Sequence, residues 1–360
     1  MAIGFGRWCI KQHKNNLAIT YIMLTLMYFS LARTLAIDQQ ATTWKAFEDF
    51  QSHYGKVYDS IDEVKERFAV FRENMRMIAE HNSDSSNNFT MAMNKFSDLT
   101  RNEFAAMVSG GFTPTVLTLG DRAGAPSCGE FNSVFQDIPA NVDWRDDNAV
   151  TSVKNQGQCG SCWSFSAAGA LEGAWSISSG TLVDLSEQQL VDCAGLRYGN
   201  LGCHGGLMDG AFEYVIENGL CLEHDYPYMS GVTQKSGTCD TSCTSGISMS
   251  DCSDVEPNNQ LALKTAVATM GPVSVAIEAD TRYFQSYSSG VLTAVDCGTT
   301  LDHGVLVVGY GEDSGQKYWL VKNSWGEDWG ESGYVKIGRD DSSDSVGICG
   351  IAAQPSFPIV

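Results

Sequence analysis

The stretch "QGQCGSCWSFS", Gln156 to Ser166, sets two cysteines, Cys159 and Cys162, with two residues between them. That spacing serves three chemistries: a dithiol redox centre, half of a zinc site, or a nucleophilic cysteine beside a disulfide-bonded neighbour. A thioredoxin-like centre follows a strand and carries its Trp before the first Cys. Here Trp163 follows the second Cys, and the preceding "VTSVKNQGQ" is a poor buried strand. A zinc site wants a second close pair; Cys239 and Cys243, or the spare Cys193 and Cys203, are more economically disulfide partners. A nucleophile needs a thiolate, a base and donors for an oxyanion. A helix opening near Ser161 puts Cys162 in its first turn, at the positive end of the macrodipole, which favours a thiolate. Of the histidines that follow, His204, His224 and His303, the last starts the apolar strand "HGVLVVGYG", and a rigid strand can aim an imidazole. Asn323 ends another strand and can hold that ring in one orientation. The N–H of Cys162 and the side-chain amide of Gln156 suit the oxyanion.

The rest of the chain bounds this reading. With 360 residues, 43% hydrophobic and 18% charged, it is long enough for one large or two ordinary globular domains. A formal charge of -20 argues against a nucleic-acid partner or an anionic membrane surface. Residues 138–360 hold most of it, with ten basic against twenty-eight acidic residues. At the N-terminus Arg7, Lys11 and Lys14 precede the apolar run Leu17 to Ala32, and small residues surround Ala36. Residues 1–36 therefore read as a cleaved signal peptide, with a signal anchor as the alternative, and no stable membrane association after its removal. An oxidising secretory route follows, in which twelve cysteines make sense as disulfides. The sequon Asn88-Phe89-Thr90 makes Asn88 a glycosylation candidate on that route.

Periodicity divides what remains. Trp44, Phe47 and Phe50 share one helical face, and Phe68, Phe71, Met75 and Ile78 repeat at three- and four-residue steps, a pair of helices that must bury its stripes elsewhere. Residues 105–137 lose that period and gather Gly, Pro, Ser and Thr, as a linker and processing region does. From Ile138 a dense domain begins. Its first helix is apolar almost all round, and "LSEQQLVDC" carries a capping box of Ser186 with Gln189. "PVSVAIEA", "HGVLVVGYG" and "KYWLVKNSW" are β-rich runs. Helices first and strands later predict an α+β fold.

"QGQCGSCWSFS", "GCHGGLMD", "LDHGVLVVGYG" and "YWLVKNSWGEDWGESGYVKI" together resemble the papain-like cysteine peptidases, nearest to the cathepsin L-like branch. Glu63, Arg67, Phe71, Asn74, Ile78 and Asn82 resemble that family's "ERFNIN" prosegment pattern, and Asn94, Phe96 and Asp98 its second prosegment motif, with Ala92 in place of the usual Gly. The resemblance covers nearly all of 44–360. It implies a two-lobed fold, helical and β-barrel-like with the cleft between, preceded by an inhibitory propeptide over 37–137 (helical core about 44–104) and a peptidase domain over 138–360. The activity implied is that of a thiol endopeptidase made as an inactive precursor. Cys162, His303, Asn323 and Gln156 carry its catalysis, and Trp325 shields the His–Asn bond. By the same resemblance Gly206, beside Gly205, meets the substrate backbone. Leu207, Met208, Ala276, Leu301 and Gly304 line an apolar-preferring pocket for the residue two before the cut, with Gln354 as a polar group at its base.

The family pattern further implies the bridges Cys159–Cys203, Cys193–Cys239 and Cys297–Cys349, with Cys162 free. Cys221–Cys243 is the preferred extra bridge, and Cys252 is either unpaired or joined to Cys128 of the linker. No metal or organic cofactor is implied. The expected partners are protein and peptide substrates and the chain's own prosegment, acting on a monomer in a lysosome- or vacuole-like acidic compartment or outside the cell. Endo- over exopeptidase rests on the lack of a long histidine-bearing insertion between Cys193 and Cys203, and of a further domain after Val360. Ionisable prosegment contacts such as Glu63 and Arg67 predict activation at acid pH. A catalytically dead relative acting as a binding or inhibitory protein is the rival class, but such relatives lose the Cys or the His.

Overall fold

The computed structural model describes residues 27–28, 40–109, 128–132, 138–243, 246–293 and 297–360. Apart from Met27 and Tyr28, the signal segment lies outside them, as does much of the linker. Among the described residues no helix is long and apolar enough to cross a membrane. Contacts divide the chain into two compact units, Met1–Arg72 and Glu73–Val360.

In the first unit, α1 (residues 40–54) and the start of α2 (Ile61–Ser83) bury their aromatic stripes on each other. Phe47 and Phe50 lie 5.3 and 5.0 Å from Phe71, and Trp44 lies edge-on to Phe68 at 4.7 Å. The start of α2 is closed reciprocally: Glu63 N–H donates to Ser60 Oγ, and Asp59 N–H to the Glu63 carboxylate. Glu63 and Arg67 face each other at 3.9 Å one turn apart on this same helix.

The second unit contains the rest of α2, then β1 (Phe89–Met91) and α3 (Arg101–Ser109). The helix α3 runs five residues beyond the expected end of the helical core at 104. Thr100 and Glu103 form a reciprocal capping box that starts it. Then come β2 (Gly129–Glu130), β3 (Val142–Asp143), α4 (Cys162–Ser179), α5 (Glu187–Cys193), α6 (Met208–Asn218), β4 (Leu220–Cys221), α7 (Ser230–Thr233), β5 (Gly246–Ile247) and β6 (Asp251–Asp254). The remaining elements are α8 (Gln260–Thr269), β7 (Val273–Ile277), α9 (Arg282–Ser286), β8 (Tyr287–Leu292), β9 (His303–Asp313), β10 (Gln316–Lys322), β11 (Tyr334–Gly338) and β12 (Ser356–Ile359). Helices lead and strands follow, an α+β order.

Two hydrophobic cores result. One gathers α4, α5 and α6 around Trp163, Leu171, Leu190 and Phe212; the other gathers the sheet and α8 around Val305, Val307, Trp319 and Phe284. Among the described residues one sheet runs in the order β1-β8-β11-β10-β9-β7-β12-β6-β2, with β3 beside β9. Its first and last strands, β1 and β2, come from segments N-terminal to the peptidase domain. The central pair β9 and β10 is antiparallel, with Val321 opposite Val307 and Lys322 opposite Leu306.

Helix α4 is buried on nearly every side, as its Ala- and Gly-rich faces predict, and ends on Gly180 in the left-handed conformation. Helix α5 departs from its predicted box. Ser186 Oγ accepts from Gln189 N–H at 3.0 Å, but the Gln189 side chain turns instead to Cys221 N–H and the Tyr214 hydroxyl. The Ser186 N–H is taken by Cys221 O at 2.9 Å, so tertiary contact replaces the local partner.

Candidate active site

Cys162 is the first residue of α4, His303 the first of β9, and Asn323 follows the last residue of β10. The antiparallel register of β9 and β10 therefore brings the His303 and Asn323 ends of two strands together. Ser166 Oγ donates to Val305 O at 2.7 Å, which lays the start of α4 along the start of β9. The approach is close: a Cβ on Gly304 would stand 3.3 Å from the carbonyl group of Cys162 and from Met208 Sδ.

Hydrogen bonds settle the histidine's tautomer. Ser324 N–H donates to Asn323 Oδ1 at 2.8 Å, so that side-chain atom is an acceptor; His303 Nε2, also at 2.8 Å, must be its N–H donor. His303 Nδ1 is then the bare nitrogen, buried and without a hydrogen-bond partner. Trp325 stacks on the imidazole, centroids 4.8 Å apart and planes 30° apart.

Gln156 lies buried where the segment before α4 pairs with the segment after β10. Its N–H donates to Ser324 O at 2.8 Å, its Nε2 to Cys159 O at 2.9 Å, and its Oε1 accepts from Ser324 Oγ at 2.6 Å. The amide orientation is fixed twice, because the Cys159 carbonyl can only accept. Neither Ser324 nor Asp302 stands out in the sequence, since each acts through contacts distant in the chain. The Asp302 carboxylate accepts from Ala279 N–H at 2.7 Å beside the histidine. Burial, partly offset by that bond, pushes it up to about 7.

Burial in this covered form works against the thiolate expected from the helix start. Burial pushes the Cys162 thiol up to about 11; the Gly304 N–H pulls it down, and the nearby Asp302 carboxylate adds to the rise. Burial likewise drives His303 down to about 4 against the help of Asn323. In this covered form burial thus disfavours the charged state of both groups.

Prosegment residues of the second unit lie against Trp325. Phe96 and Phe104 both meet Trp325 edge-on, at 5.5 and 5.4 Å, and the Lys95 ammonium bonds the Trp325 carbonyl. Strand β1 pairs with β8, Phe89 opposite Gly290. The motif asparagines serve as backbone clamps: Asn74 donates to Ser97 O and Leu99 O, Asn82 exchanges two bonds with Met91, and Asn94 donates to Gln285 O.

Ala276 pairs with Gly304 across β7 and β9, close to Met208, and Leu301 is buried just before β9. Gly205 takes a φ of 106°, and a Cβ on Gly206 would collide with Asn200 and Trp163. Leu207 N–H is held by Asn200 Oδ1 at 2.7 Å. Gln354 is exposed in the turn before β12. His204 and His224 are exposed and stand outside the cluster; His224 faces Asp225 at 3.3 Å. Asn88, the sequon residue, is exposed beside β1.

Five disulfides join Cys128 to Cys252, Cys159 to Cys203, Cys193 to Cys239, Cys221 to Cys243 and Cys297 to Cys349. Among the described residues Cys162 is the free cysteine. A redox dithiol is thereby excluded, since Cys159 is engaged elsewhere.

Residues 138–359 match the model of the papain family of cysteine proteases, and residues 47–104 that of the cathepsin propeptide inhibitor domain. The chain belongs to the papain family of cysteine proteases. It carries this family's inhibitor domain ahead of the enzyme. Among similar proteins, the thiol protease SEN102 of Hemerocallis is 42% identical over 353 residues, 95% of this chain and 94% of that one. The cysteine endopeptidase RepA of Oryza sativa is 46% identical over 311 residues, 85% and 80% of the two chains. Digestive procathepsin L 3 of Tenebrio molitor superposes with a TM-score of 0.78 at 40% identity, covering 88% of this chain and 99% of that one. The proform of the ragweed pollen cysteine protease Amb a 11 gives 0.79 at 40% identity, covering 88% and 94%. These papain-family neighbours are procathepsin L-like zymogens.

Proposed function

We propose that this papain-family precursor matures into an endopeptidase whose chemistry is carried by Cys162, His303, Asn323 and Gln156. The observation that supports it most is the tautomer: with Nε2–H committed to Asn323, the bare Nδ1 is the atom available to take the thiol proton. In the opened cleft the thiol proton passes to His303 Nδ1, and Cys162 Sγ then adds to the peptide carbonyl carbon as a thiolate. The carbonyl oxygen, now anionic, is stabilised by the Cys162 N–H and the Gln156 amide, each donor worth about 3 kcal/mol in comparable sites. His303 returns the proton to the departing amine as the C–N bond breaks and a thioester remains. Water then attacks that carbonyl, giving its proton to His303, and the acid product leaves as the thiol is restored.

Met208, Ala276, Leu301, Gly304 and Leu207 form the apolar pocket for the residue two before the cut, and Gln354, exposed before β12, is the polar group assigned to its base. Gly205 and Gly206 leave an edge open to an extended peptide. The five bridges and the exposed Asn88 favour a secretory route to an acidic compartment or the exterior, and Asn88 carries the glycan. The matured enzyme acts as a monomer.

Acid activation follows from linkage. Covered by the prosegment, His303 sits near 4 rather than its ordinary 6.5, so between those values the open form binds the extra proton and falling pH favours opening. In the opened cleft, water lowers the Cys162 thiol again and the pair ionises. After incubation at pH 4.5, an epoxide inhibitor of thiol peptidases is expected to label Cys162, whereas the same reagent leaves the pH 7.5 zymogen unlabelled. Cys162→Ser should lose proteolysis by more than about a thousandfold. Undiminished proteolysis in that variant, or label elsewhere, overturns the assignment.

A further inference from the structure

Residues 128–131 fall between the inhibitor domain and the peptidase domain in the chain, yet they are built into the peptidase. Strand β2 adds in parallel to β6, with Gly129 opposite Ser253 and Glu130 opposite Asp254. The Phe131 N–H continues the pairing to Asp254 O at 2.8 Å, and the Phe131 ring meets Phe357 of β12 edge-on at 5.3 Å. Cys128 and Cys252 are buried in the core around α4 and α6, joined by a bridge that spans 124 residues of chain. Cys128 Sγ also lies within 4.8 Å of carboxylate oxygens of Asp209 and Asp254, at the start of the helix that carries Met208. That sulfur is committed to the disulfide, so the cluster is a packed corner and not a metal site.

We propose that residues 128–131 remain on the peptidase after the prosegment is removed, as a covalently held edge strand of the mature enzyme. This rests on the reading of the chain as a zymogen. A peptidase cuts backbone that can be drawn out and extended in its cleft, and 128–131 are hydrogen-bonded and anchored at a buried sulfur and at a ring held edge-on to Phe357. Hydrolysis on either side adds water across one C–N bond and leaves the Cys128–Cys252 bond untouched. The segment therefore persists as an N-terminal extension, or as a short second chain held by sulfur. Its place over β6 also closes an edge that would otherwise present unpaired N–H and C=O groups.

The test is the mass of the matured full chain. Acid-activated protein is denatured, alkylated with iodoacetamide without reduction, and weighed before and after reduction. Retention predicts a non-reduced mass that includes residues 128–131, with Cys252 unalkylated until reductant is added. A mature species lacking those residues, with Cys252 alkylated before reduction, overturns the proposal. The same measurement on Cys162→Ser protein trimmed by added pepsin keeps the two readings apart. If the parent chain fails to process itself the zymogen reading suffers, but the trimmed chain still reports whether the segment stays.

Discussion

Ser324 joins both halves of the proposed catalytic site. Its N–H holds Asn323 Oδ1, its carbonyl takes the Gln156 N–H, and its hydroxyl bonds Gln156 Oε1 at 2.6 Å. Losing the hydroxyl leaves a buried amide oxygen without a partner and frees the amide to turn over, which misplaces an oxyanion donor. Ser324→Ala is therefore expected to lower kcat about tenfold with KM little changed. In a Gln156→Ala background the same change should cost less than about twofold, because the side chain it positions is gone. Equal losses in the two backgrounds would show that Ser324 acts on something else.

At the scale of elements, inhibition depends on the prosegment between β1 and α3. The turn bearing Asn94, Phe96 and Asp98 is buried, and Gln285 of α9 donates to Phe96 O and Leu99 O at 2.9 and 3.2 Å. Phe96 and Phe104 press on the indole that roofs His303. Their burial is the main apolar contribution to this contact, since a buried Phe truncated to Ala costs about 3–5 kcal/mol. Phe96→Ala, and more so Phe96→Ala with Phe104→Ala, should raise the pH at which half the zymogen processes by at least about half a unit. Processing followed on gels over stepped pH checks this, and an unmoved midpoint would place the inhibitory contact elsewhere.

Over the whole molecule, buried acids set the response of stability to pH. Asp302 is raised to about 7 by burial, and Asp254 to about 7 by burial and the adjacent Asp209 carboxylate. Between about pH 4 and 7 the folded chain thus holds protons that the unfolded chain has released, and stability from these groups falls as pH rises through that window. His303, near 4 when folded, acts in the opposite sense and costs stability as pH falls below 6.5. From these groups the two aspartates outweigh the histidine, so the zymogen should melt about 5 °C or more higher at pH 5 than at pH 8. A profile flat from pH 5 to 8 would contradict this, and Asp254→Asn should flatten it in part.

The positions of Cys162, His303 and Asn323, proposed as nucleophile, base and orienting group, were legible because each sits in a local context, a helix start or a strand end, that short-range periodicity marks. Helices α4 and α5 and strands β7, β9 and β10 were legible for the same reason. Strands β1 and β2 were not: three- and two-residue strands carry no period and exist only because a sheet edge receives them. The second half of the predicted box on α5 gave way to Cys221 and Tyr214, partners far along the chain. Sequence alone determined where Cys162, His303 and Asn323 enter their elements, since that depends on neighbours a few positions away. Tertiary structure alone decided that Ser324 fixes Gln156, that Cys128 is bridged to Cys252, and that Cys162 and His303 are buried under the prosegment. Each of these depends on burial and on contacts between distant segments, which no local stretch of chain contains.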